Sequence, residues 1–73
     1  MKPDERTLLL ARADVPAGQH VYVRDLVHRL GINEKRAAYI CDKWTNKGWY
    51  DWGVSVLAGW LTAKGREEAE KLR

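Results

Sequence analysis

One cysteine, Cys41, is all this 73-residue chain has for cross-linking, so no disulfide can form within it. Beside that cysteine stand two histidines, His20 and His28, and the three together cannot supply the four ligands of a structural zinc site. No apolar run approaches the roughly 18–20 residues that a membrane span requires. The opening MKPDERTLLLARAD carries an apolar patch too short and too charged for a signal peptide. No serine lies near either histidine in a nucleophile pattern; Ser55 stands in a Gly-bracketed loop far from both. The glycines read as caps and turns, so no phosphate-binding loop is present. There is no internal repeat, low-complexity segment or linker. These absences leave little for catalysis, metal or cofactor to rest on. They predict a single domain spanning residues 1–73, soluble and cytoplasmic, with the lone thiol suited to a reducing compartment.

What the chain does have is tryptophan. All four tryptophans and four of the six glycines fall within residues 43–65, KWTNKGWYDWGVSVLAGWLTAKG. A domain this small buries only roughly 60% of the surface its unfolded chain exposes. Large aromatics compensate, since each buries about 150–250 Å². Trp44, Trp49 and Leu61 are therefore expected in the core, with Cys41 an inert core thiol. His20 and His28 are expected at the surface, His28 within reach of Asp25 on the same helix face.

The net charge of +3 is unevenly placed. Residues 24–47 hold six basic side chains (Arg24, Arg29, Lys35, Arg36, Lys43, Lys47) against three acidic ones (Asp25, Glu34, Asp42). The rest of the chain balances, so the whole excess sits in this stretch. Concentrated positive charge points to an anionic partner.

Periodicity and punctuation predict the elements. PDERTLLLARAD reads as a first helix with Pro3 or Asp4 at its start and acidic residues in its first turn. Pro16 and Gly18 in VPAG end it. QHVYV at 19–23 is at most a short strand. RDLVHRLGI at 24–32 reads as a second helix with Leu26, Val27 and Leu30 on one face and Gly31 as its stop. Asn33 is the N-cap of a third helix, EKRAAYICDKWTNK at 34–47, whose buried stripe is Ala37, Ile40, Cys41 and Trp44. Only two residues, Ile32 and Asn33, separate these helices beyond the Gly31 stop, which forces a sharp turn. Gly48 is the expected left-handed cap. A hairpin then follows, with strands at 49–52 and 60–62 that set Trp52 opposite Trp60. Thr62 caps a last helix, AKGREEAEKLR.

This order, with Trp44-Thr-Asn-Lys-Gly48-Trp49-Tyr50, a short wing and then Leu61-Thr62-Ala-Lys-Gly65, resembles the winged helix-turn-helix family. VRDLVHRLGINEKRAAYI resembles that family's second and third helices and their turn. The resemblance covers about residues 5–72. It implies an α+β, mostly helical fold: a three-helix core, a short β-hairpin wing and a C-terminal helix. It also implies a third helix in the major groove of double-stranded DNA and a wing against the backbone or minor groove.

Mapped on this chain, the resemblance assigns DNA contact to Arg24, Lys35, Arg36, Ala38, Tyr39, Lys43 and Lys47. Arg36 suits a guanine edge, and the lysines suit phosphates. One departure stands out: the wing, Gly53-Val54-Ser55-Val56-Leu57-Ala58-Gly59, carries no charge. A second expectation is therefore a protein-interaction module that docks through Trp52, Val54, Val56, Leu57 and Trp60 and leaves DNA alone. Under the first reading the chain is a small transcriptional regulator acting as a homodimer or with a partner protein. No small-molecule ligand or membrane is expected under either.

Overall fold

The computed structural model describes residues 1–15 and 22–73. The breakers Pro16 and Gly18, His20, and the first three residues of the strand expected at 19–23 lie outside the described residues. The last two are described: Tyr22 is the N-cap of a helix and Val23 its first residue, so neither is in a strand. Among the described residues, four helices and a two-stranded antiparallel hairpin make a small, mostly helical α+β fold. In chain order they are α1 (Pro3–Ala13), α2 (Val23–Leu30), α3 (Glu34–Asn46), β1 (Tyr50–Asp51), a 3-10 turn (Val56–Ala58), β2 (Trp60–Leu61) and α4 (Ala63–Glu70).

α1 begins at Pro3, whose missing N–H is harmless in the first turn. Its buried stripe is Glu5, Leu8, Leu9 and Arg12, the spacing of one helical face. Half of that stripe is charged, which hydrophobic periodicity alone does not reveal. α2 buries Val23, Leu26 and Val27, whereas Leu30 stays over a third exposed. The expected face thus holds except at its last residue, where the helix ends.

The α2–α3 turn follows the predicted chemistry. Gly31 takes φ 72°, the left-handed region open to glycine, and the Ile32 N–H closes on the Val27 carbonyl at 2.9 Å. The Asn33 side chain then accepts from the N–H of Lys35 at 2.8 Å and of Arg36 at 3.3 Å, capping α3. α3 inserts Ala37, Ile40, Cys41 and Trp44, all fully buried, between α2, the hairpin and α1. It ends at Asn46, one residue before the expected limit, and Lys47 is its C-cap. Gly48 at φ 79° reverses the chain into β1.

The hairpin register pairs Tyr50 with Leu61 and Asp51 with Trp60. Trp52 and Trp60 therefore do not face one another as expected, because the strands end before Trp52 and Gly59 packs where a longer strand would continue. A Cβ on Gly59 would collide with the Asp51 carbonyl oxygen and the Tyr50 ring. Tyr50 packs on Trp44 with ring centroids 6.2 Å apart. Its hydroxyl donates to the Val56 carbonyl at 2.6 Å and accepts the Gly59 N–H at 2.9 Å, which folds the loop back. Leu57 is buried as a result and Val56 packs partly on the core.

Thr62 caps α4 as expected, accepting the Gly65 N–H at 3.2 Å while its hydroxyl donates to the Gly48 carbonyl at 2.6 Å. α4 stops at Glu70 rather than running to Arg73. Among the described residues no helix is long and apolar enough to cross a membrane.

Candidate functional site

The candidate surface is α3 and what flanks it. Its inward stripe points Lys35, Tyr39, Asp42 and Asn46 toward solvent, a half-turn away, and all four are exposed. Arg36, Lys43 and Lys47 lie along the flank nearer α1. Ala38, expected on the outward face, packs partly against the core instead. Tyr39, Asp42, Lys43, Asn46 and Lys47 line a shallow depression of about 300 Å³.

Three of the six cations in the basic stretch already hold carboxylates. Arg24 Nε pairs with Glu34 Oε1 at 3.0 Å across the α2–α3 turn, with both side chains well exposed. His28 Nε2 reaches the other Glu34 oxygen at 3.7 Å, so its neighbour is the third helix and not Asp25. Arg36 grips Asp4 of α1 with two bonds, Nε to Oδ2 at 2.8 Å and Nη2 to Oδ1 at 3.2 Å. Lys43 Nζ meets Glu5 Oε1 at 3.0 Å. Arg29, Lys35 and Lys47 have no ion-pair partner among the described residues. Lys47 instead lies over the Trp49 ring, 4.6 Å from its centroid, and Arg36 lies 5.6 Å from the Tyr39 centroid.

The two α1 carboxylates differ in depth. Glu5 is 1% exposed and also accepts the Trp44 indole N–H at 3.0 Å through its second oxygen. Burial pushes its pKa up, but the hydrogen bonds from Lys43 and Trp44 and the lysine charges outweigh this and hold it below the usual range. A buried charge so bonded is part of the framework: removing one partner typically costs about 3–5 kcal/mol. Asp4 and Arg36, by contrast, keep side-chain exposures of 35% and 29%. The Arg36 hydrogen bond lowers the Asp4 pKa and the same bond raises that of Arg36.

On the far side of the hairpin, Arg12 is almost fully buried without a carboxylate. Its Nη2 donates to the Gly59 carbonyl at 3.2 Å, its Nε has no hydrogen-bond partner among the described residues, and burial lowers its pKa. Burial likewise pushes the Cys41 thiol up to about 12. No group of three or more His, Cys, Asp or Glu side chains is placed to hold a metal ion among the described residues.

The loop residues divide. Val54 is 98% exposed and Trp60 47%, with Trp52 also open to solvent. Leu57, expected to dock beside them, is in the core, and Val56 is partly so. A second hollow of about 240 Å³ lies between the start of α2 and this loop, lined by Tyr22, Arg24, Asp25, Ser55, Leu57 and Ala58.

Sequence reasoning missed Asp4 and Glu5 as partners of α3, since 32 to 39 residues separate each pair. It also passed over Asn46, which helical spacing from Tyr39 and Asp42 places on the open face. No protein-family model, curated protein or solved structure matches the chain.

Proposed function

We propose that the chain is a small winged-helix DNA-binding protein, a transcriptional regulator that inserts α3 into the major groove. The observation that carries this reading is the tight α2–Gly31–Asn33–α3 junction with the outer face of α3 left open and polar. On that face Lys35, and beside it at the helix end the exposed Lys47, suit phosphates, while Tyr39 and Asn46 supply a hydroxyl and an amide that can bond phosphates or base edges. Asn can bond adenine at two positions. A single module buries roughly 600–1,000 Å² on DNA, so tight sequence-specific binding calls for a homodimer or a partner protein. The test is affinity for a mixed-sequence duplex against salt. Each neutralised phosphate contributes a slope of about −0.9 in log K against log salt, and Lys35→Ala and Lys47→Ala should each flatten it by about one. A wild-type protein that ignores duplex at low salt overturns the proposal.

A second reading is favoured by one observation: the hairpin loop is uncharged, and Trp52 and Val54 in it and Trp60 at the start of β2 are exposed. Under it the chain docks on a protein through this loop. Val54→Asp would then abolish association without unfolding the chain, because Val54 touches almost nothing.

A further inference from the structure

Arg36 is the cation best suited to planar, two-pronged recognition, yet it is already engaged. The Asp4 carboxylate occupies its Nε and Nη2 donors in the fork geometry that a phosphate would use. We infer that Asp4 is an internal stand-in for the DNA anion, holding Arg36 in the free protein and giving it up to phosphate in the complex. The inference rests on the DNA reading above and names the residue that sets its affinity.

Three observations separate Asp4 from Glu5 in this respect. The Asp4–Arg36 pair keeps about a third of each side chain in water, so opening it strands no buried charge. Lys2 also acts on the Asp4 carboxylate, which therefore is not left in an uncompensated field when Arg36 leaves. Arg36 has a second support on the outer side, the exposed Tyr39 ring at 5.6 Å, over which the guanidinium can pivot toward the open face. Glu5 has none of this freedom. It is buried, and both its oxygens serve Lys43 and Trp44. Lys43 is thus a fixed strut of the fold, while Arg36 is exchangeable.

The test is a two-by-two set: wild type, Asp4→Asn, Arg36→Gln and the double variant. Each is titrated with a mixed-sequence duplex at low salt after a thermal melt establishes that it is folded. Asp4→Asn should bind about threefold tighter than wild type, the scale of an exposed ion pair. The gain should vanish in the Arg36→Gln background, since there the carboxylate has nothing to hold. Equal or weaker binding by Asp4→Asn overturns the inference while leaving the DNA reading intact. So does the same gain in both backgrounds, which would reflect net charge alone. Failure of the wild type to bind duplex at low salt overturns the DNA reading and this inference together. Should Asp4→Asn not fold, Asp4→Ser, also short and polar, replaces it in the same comparison.

Discussion

On the α1 side of α3, Arg36 and Lys43 each meet a carboxylate within 3.0 Å, and one of those carboxylates is sealed in the core. On the outer side Lys35 and Asn46 have solvent around them and Tyr39 is 62% exposed. The two sides share a helix and a residue vocabulary, yet one is a seam and the other a surface. The difference is set by what α1 brings to its first turn. Asp4 and Glu5 convert two cations that helical spacing alone would count as free into inter-helix links. Positive charge on a helix is therefore a poor guide to an interface until its partners elsewhere in the chain are known.

The sharpest way to break this contrast is Glu5→Ala. It leaves Lys43 and the Trp44 indole N–H without their acceptor inside the seam. A loss of about 3–5 kcal/mol is expected, enough to leave so small a domain largely unfolded at 37 °C by circular dichroism. A loss below about 1 kcal/mol would mean the seam is not structural. Acid should act through the same group. The folded-state pKa of Glu5 lies below its ordinary value of 4.5, so the folded form holds fewer protons. Its contribution is present above that ordinary value and is lost as pH falls through the lowered one. Glu5→Gln should flatten the melting temperature's dependence on pH in that acid window, and an unchanged profile would contradict the assignment.

A smaller effect comes from the end of α3 that both sides share. Asn33→Ala removes the acceptor for two first-turn N–H groups and should cost about 1 kcal/mol by chemical denaturation. The smallest effect belongs to the outer side. Lys35→Ala and Asn46→Ala should stay within about 0.5 kcal/mol of wild-type stability. A larger drop would show that the outer side is also a seam.

Local chemistry made much of the fold legible. Gly31, Asn33, Gly48 and Thr62 each act within a few residues of themselves, and each performs the turn or cap its residue type favours. The Ala37, Ile40, Cys41 and Trp44 stripe was equally readable, because apolar spacing on α3 had no competitor. The hairpin register was not legible. It is set by the close approach of Gly59 to the Asp51 carbonyl and by Tyr50 bonding across the loop, neither of which alternation encodes. For the same reason Leu57 was misread as surface: a loop residue's burial depends on where the loop is tied. The site suffered most, since Asp4 and Glu5 look like ordinary first-turn acids that favour the helix dipole. Their second role needs the α1–α3 packing that only the folded chain supplies.

The burial of Cys41 has a practical consequence. With its thiol enclosed and its ionisation pushed up to about 12, the native cysteine is a poor nucleophile at neutral pH. Val54→Cys would then place the sole maleimide-reactive sulfur on the open tip of the hairpin loop, where Val54 is almost wholly exposed, with the natural cysteine left in place. A fluorophore attached there would report on that tip alone, in one labelling step and on an otherwise unaltered chain.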